Sequence, residues 1–181
     1  MLRRLFGLPS YDHNRQRQAL YGLVVTQARR AELYSQMGVP DTFDGRLEMM
    51  ILHLYPLHRR LLREGNAERR LSQGVFDAFF EDMDSALREA AVGDQAVPKR
   101  LQKITRVFYG HAKALDAAMD LPQEQRLAAI DAVLEGNLVD PDNTVDRSAL
   151  AKYLLGSIVE IDATDLKSIV GGKFAFAPFP A

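Results

Sequence analysis

With 181 residues, 47% of them apolar and 26% charged, the chain is long enough to bury one core and too apolar to stay disordered. Its 23 Lys and Arg nearly cancel its 24 Asp and Glu, so a global charge argument for nucleic acid fails and only a local patch could serve one. Cysteine is absent, which excludes disulfides, thiolate metal sites and cysteine nucleophiles, and no apolar run approaches the roughly 20 residues that cross a bilayer.

The chain opens with Leu2, Arg3, Arg4, Leu5, Phe6 and Leu8, able to touch a membrane surface but too short to anchor alone; the polar stretch over residues 10–18 is not the apolar core of a signal peptide. Leu20, Val24, Gln27, Ala31 and Tyr34 recur at helical spacing and predict a first helix over about residues 14–37. Gly38 suits the left-handed close of that helix, Pro40 cannot continue it, and Asp41, Thr42 or Asp44 can cap the next. The second helix starts near Asp44, carries Leu47, Met50, Ile51, Leu54, Leu57, Leu61 and Leu62 on one side, and ends in the basic turn of Arg59, Arg60 and Arg63 before Gly65-Asn66. Pro56 inside it predicts a kink or a split.

A third helix over residues 67–91 has Leu71, Val75, Ala78, Phe79, Met83, Ala86 and Leu87 on one face and acids on the other, and Gly93-Asp94 supplies the next stop and start. Leu101, Ile104, Phe108, Ala112, Leu115 and Met119 mark a fourth. Asp120 with Gln123, and Pro122 at the first position, opens a fifth that ends at Gly136; Asn143 with Asp146 opens a sixth through Leu150, Leu154 and Ile158. Only residues 173–179 alternate as a strand could. The expected fold is all-α: a single-domain helical bundle of about six helices over residues 14–165, with a short irregular N-terminal tail over 1–13 and an extended C-terminal tail over 166–181.

Chemistry-bearing residues are few. His13, His53, His58 and His111 are scattered, and His53 and His58 stand five apart instead of the four that would share a helix face for a metal. Asp140-Pro141-Asp142-Asn143 begins like a calcium loop, but Val145 and Ala151 replace its glycine and its bidentate glutamate, leaving a helix-capping loop. Asp44 with Glu48, and Glu81 with Asp84 and Arg88, lie a turn apart, a pattern for capping and ion pairing or for holding a metal. With no phosphate cradle or nucleophile elbow, no catalytic residue, metal ligand or cofactor is assigned and an enzyme is not expected.

Three surfaces stand out. Lys99, Lys103, Arg106 and Lys113 fall within about 80° of one another with no acid between them, a face for RNA phosphates, anionic lipid or an acidic partner, or one that is simply solvated or paired with the third helix. That third helix joins Asp77, Glu81, Asp82, Asp84 and Glu89 to Phe76, Phe79 and Phe80. Phe79 continues the core stripe, so Phe76 or Phe80 is left for a second surface, a groove toward Phe43, unless a broad bundle takes all three inside. The end, Phe174-Ala175-Phe176-Ala177-Pro178-Phe179-Pro180, suits an extended segment laid into a groove or against a partner, or a disordered one.

The stretch Gly38-Val39-Pro40-Asp41-Thr42-Phe43-Asp44-Gly45-Arg46-Leu47-Glu48-Met49 packs a stop, a turn and a start around a charge cluster. With Tyr21-Gly22, Gln27-Ala28-Arg29, His53-Leu54, Phe76-Asp77, Phe80-x-Asp82-Met83-Asp84-x-x-Leu87-Arg88-Glu89, Val92-Gly93-Asp94 and Phe108-Tyr109-Gly110, it resembles the ubiquinol-cytochrome c chaperone family, assembly factors of respiratory complex III. The resemblance runs from about Tyr21 to about Gly110, and beyond it only helical pattern is seen. It implies a non-enzymatic chaperone that binds newly synthesised cytochrome b, or other complex III subunits, and assists their assembly. A second small assembly factor and the ribosome are further partners of the mitochondrial members. The lack of a transit peptide leads to the expectation of a bacterial member in the cytoplasm, at the cytoplasmic face of the inner membrane and in peripheral contact with it. A client groove needs apolar walls and charged edges, and the matched segments supply the candidates Asp41, Phe43, Asp44, Arg46, Glu48, Phe76, Phe80, Asp82, Asp84 and Arg88. The alternative is a ribosome- or nucleic-acid-binding module acting through Lys99, Lys103, Arg106 and Lys113, with no specific nucleic acid expected otherwise.

Overall fold

Each apolar stripe of the sequence folds as an α-helix. The computed structural model describes residues 11–180 except 139, 141 and 143; the N-terminal apolar and arginine residues, and Asn143 as a helix opener, lie outside them. Helices α1 (Tyr11–Ala28), α2 (Ala31–Ser35), α3 (Phe43–Leu62), α4 (Asn66–Glu89), α5 (Val97–Met119), α6 (Gln123–Asn137), α7 (Arg147–Ala163) and α8 (Leu166–Val170) follow in order, with no strand among the described residues. Six are long, as the periodicity predicts, and the five-residue α2 and α8 are additions.

Helix α3 is the axis of the bundle: α1, α4, α5 and α7 pack around it, and α6 bridges α5 and α7. Residues 48–59 are all buried, so this helix is covered all round and not on one stripe alone. That enclosure keeps α3 continuous through Pro56, despite a lost hydrogen bond whose usual cost is about 3 kcal/mol. It also forces the polar side chains of α3 to find partners inside. His53 bonds the Met49 carbonyl through Nδ1 (2.6 Å) and the Tyr153 hydroxyl through Nε2 (2.8 Å), and Gln27 Nε2 donates to the same hydroxyl (2.9 Å). His58 Nδ1 meets Ser72 Oγ at 2.7 Å. Buried Arg59 reaches Asp116 of α5 at 3.2 Å and Asp162 of α7, while Tyr55 donates to Asp116 at 2.8 Å.

The structure corrects several boundaries. The first predicted helix is two, broken at Arg29-Arg30 where Arg30 is extended (ψ 132°) and Tyr34 donates its hydroxyl to the Ala28 carbonyl (2.8 Å), replacing a helical partner. Helix α4 stops before Gly93, through Ala91 in the left-handed region (φ 58°). Asp120 ends α5 instead of capping α6, whose N-cap position is Pro122 without a side-chain cap. The extended tail expected from residue 166 begins later, after α8. Asp146 caps α7 by accepting from Ala149 N (2.9 Å), and Asp140 accepts from Thr144 N (2.8 Å) and Val145 N (3.0 Å), as a capping loop should.

Candidate functional site

The turn before α3 is built by close approaches. Gly38 has φ +69°, and a Cβ there would lie 2.0 Å from the Thr144 carbonyl oxygen. Thr144 Oγ1 donates to Gly38 O (2.9 Å) and Asp146 N to Met37 O (2.9 Å), so the loop before α7 pins the turn from behind. Thr42 is the N-cap, its Oγ1 accepting from Gly45 N at 3.1 Å. A Cβ on Gly45 would lie 2.0 Å from the Pro40 carbonyl oxygen, so the turn can fold onto α3 only over a glycine.

This arrangement turns Asp41, Phe43 and Arg46 outward. Arg46 grips both oxygens of Asp41, Nε at 2.5 Å and Nη2 at 3.1 Å, and holds the Asp41 carboxyl below the usual carboxylate range. Across from them α4 presents Asp82, Met83 and Ala86, and the break after α1 lets α2 form a third wall with Ala31, Tyr34 and Ser35. Asp82 Oδ2 accepts from Tyr21 of α1 at 2.7 Å; burial, reinforced by this carboxylate, pushes the Tyr21 phenol up.

The result is a groove of about 830 Å³. Leu47, Met50, Met83 and Ala86 are its apolar lining, with Arg29, Asp41, Arg46 and Asp82 as its charged groups and Phe43, 44% exposed, among its walls. Methionine fills irregular contacts without a fixed shape, so this lining can adapt to apolar surfaces of different outline.

Of the ten partner-binding candidates, Asp41, Phe43, Arg46 and Asp82 meet in this groove. Asp44 is exposed in the first turn of α3, where a carboxylate complements the helix dipole, and it does not line the groove. Glu48 is a correction: it points inward, buried, with Oε1 2.9 Å from His111 Nε2 of α5, because it shares the inward face of α3 with Gly45 and Met49. Phe76 is another, buried against Phe108 (ring centroids 4.7 Å apart) and Phe80 (4.8 Å), since the bundle is broad enough to take it into the core. Phe80 is half-buried in that aromatic cluster, so the α4 side chains that face Phe43 are Met83 and its neighbours. Asp84, Arg88 and Asp94 close an ion-pair chain at 2.6 Å for each link, away from the groove. Tyr21, Arg29 and Tyr34 belong to the site too; Tyr21 and Arg29 stand in matched motifs, and the phenol's need for a partner was the available signal.

Lys99, Lys103, Arg106 and Lys113 are all exposed on α5. The acids of α4 bond elsewhere: Asp77 to Gln73 (2.7 Å), Glu81 to Arg17 (3.4 Å) and Asp84 to Arg88, so pairing of this basic face with α4 is not found among the described residues. Among those residues no group of three or more His, Asp or Glu could hold a metal ion, and no helix is long and apolar enough to cross a membrane.

Among curated proteins none matches the chain. The crystal structure of the Cbp3 homolog from Brucella abortus is similar to it, with 32% sequence identity, a TM-score of 0.83, and 99% of this chain and 98% of that chain covered. The family model described as ubiquinol-cytochrome C chaperone matches residues 35–176. It thus starts after α1, later than the motif resemblance does, and continues past Gly110 through α6, α7 and α8 into the tail. The chain belongs to the ubiquinol-cytochrome c chaperone family.

Proposed function

We propose that the chain is a non-enzymatic assembly chaperone of respiratory complex III that holds newly synthesised cytochrome b, or another subunit of the complex, in the groove between α2, α3 and α4. One observation carries this reading: two family-matched segments about forty residues apart, around Phe43 and around Asp82, converge on a single groove with a methionine-bearing lining and charged edges. Such a site holds an apolar segment by area and excludes charged ones at its rim, which gives weak, releasable binding. The work belongs at the cytoplasmic face of the inner membrane, where the client inserts. Affinity purification of the tagged protein from respiring cells tests it. Wild type should carry cytochrome b; Phe43→Glu and Arg46→Glu, both at exposed positions, should lose most of it while melting as wild type does. Retention of cytochrome b by both variants would remove the groove from the reading.

A second reading, docking to the ribosome through α5, is favoured by the four cations left exposed on one helix face. It expects ribosomal RNA to co-purify, to be lost with Lys103→Glu/Arg106→Glu, and to fall steeply with salt.

A further inference from the structure

The C-terminal segment occupies a groove of its own on another side of the bundle. Gly172 (φ +70°) turns the chain out of α8, and Lys173 N to Ser168 O (2.8 Å) is the last backbone pair. From residue 174 to 180, among the described residues, one hydrogen bond follows, Ala177 N to Ser157 Oγ of α7 at 3.1 Å. Side chains do the rest. Phe174, Phe176, Ala177 and Phe179 pack against the core, whereas Lys173, Ala175 and Pro178 face water. Phe176 sets its ring on His53 of α3 (5.2 Å, 62°), Phe179 stacks on Tyr153 of α7 (4.8 Å, 20°), and the Arg30 guanidinium covers Phe179 at 5.6 Å. The floor is bare where the Ala177 methyl rests on it: a Cβ on Gly156 would lie 2.9 Å from Ala177 Cβ.

These are the parts of a peptide-binding groove: aromatic walls, a cation over one ring, a glycine that leaves room for a small side chain, and a buried hydroxyl that reads a main-chain N–H whatever the side chain. We infer that this groove, formed by α3, α7 and the Arg29-Arg30 break after α1, is a second binding site, for an extended, uncharged, aromatic-rich segment of a partner protein, and that the chain's own tail plugs it in cis. A segment with a single hydrogen bond to the bundle and alternate residues in water belongs to the low-stability end of a fold and opens without melting the helices. Its two prolines keep it extended when free, which lowers the entropy lost on return. The two sites are neighbours. Arg29 and Ala31 line the first groove while Arg30, between them, covers the tail, so an incoming chain meets both. This site stands whether or not the first groove holds cytochrome b.

The experiment uses full-length protein and, as probe, a fluorescein-labelled synthetic peptide with the sequence of residues 173–181. Phe176→Ala/Phe179→Ala weakens the plug and leaves the groove intact. It should bind the peptide at least about tenfold more tightly than wild type, whose site is filled, and adding Gly156→Leu should abolish that binding. Hydrogen exchange should show the Ala177 amide unprotected in the double variant while α1, α3 and α7 keep their protection. An open tail without peptide binding would overturn the site. Loss of protection throughout the bundle would also overturn it, making the tail a fixed part of the core. Dimerisation of wild type that Gly156→Leu prevents would assign the groove to tail exchange between copies and end the partner reading.

Discussion

At the scale of single residues, His53 has the clearest consequence for stability. Burial pushes its pKa down to about 4, against the opposing hydrogen bond from its ring to the Met49 carbonyl. The Met49 carbonyl can only accept, so Nδ1 carries the proton, and the Tyr153 hydroxyl, which takes a bond from Gln27, donates its O–H to Nε2 of the neutral ring. Since an unfolded histidine titrates near 6.5, the unfolded state takes up the proton first as pH falls. The contribution is therefore complete above about pH 6.5 and lost between there and about pH 4, on the order of 3 kcal/mol. His58, also pushed down by burial, works in the same direction. His111 works in the other: burial pulls it down, but the bond and charge of Glu48 and the bond to the Val107 carbonyl together leave its pKa raised, so its share is present at acid pH and lost as pH rises through that value. His53→Gln should flatten the fall in urea midpoint between pH 6.5 and 4 relative to wild type; an unchanged slope would assign it to other groups. Sequence spacing set His53 and His58 apart from a metal-binding pair. Their partners were not visible in it, since Tyr153 lies 100 residues from His53.

At the scale of elements, helix ends divide into those set by local chemistry and those set by neighbours. Gly38 and Thr42 act where the turn chemistry placed them, one left-handed and the other capping. Gly45 and Ala91 do not follow local preference. Gly45→Ala should destabilise the protein by about 2 kcal/mol or more, although alanine favours helices, because the new Cβ meets the Pro40 carbonyl 2.0 Å away. Ala91→Gly should stabilise by up to about 1 kcal/mol, because a left-handed φ of 58° costs an alanine what a glycine does not lose. Opposite signs in urea unfolding are the check; a stabilising Gly45→Ala would mean that the turn moves freely. The break between α1 and α2 has no breaker residue, since Arg29-Arg30 could continue a helix. The interactions that replace the helix there, Tyr34 on the Ala28 carbonyl and Arg30 over Phe179, are tertiary or span the break.

At the scale of the molecule, α3, α5 and α7 are tied by one buried cation. The Arg59 side chain is 5% exposed, and its charge is met by Asp116 and Asp162. Removing both acids leaves that charge without compensation, so Asp116→Ala/Asp162→Ala should cost roughly 3–5 kcal/mol, whereas Arg59→Met, which removes the charge and keeps an apolar stem, should cost clearly less. Melting curves decide it, and equal losses would mean that packing rather than charge holds the three helices there. The same enclosure of α3 explains the site. It draws Glu48 inward to His111 and leaves Asp41 and Arg46 outside, although all three stand within eight residues.

The sequence by itself determined the all-helical class, the six long helices, the punctuation at residues 38–42, the family, and the two segments that build the groove. These follow from periodicity and turn chemistry, which act over a few residues, and from motif resemblance. Tertiary structure alone decided that Asp82 lines the groove while Glu48 and Phe76 are buried, that the α1–α2 break supplies a wall, and that the tail lies on its own bundle. Helical spacing sorts residues into faces around one axis, but which face is covered, and by what, depends on neighbours brought from distant parts of the chain.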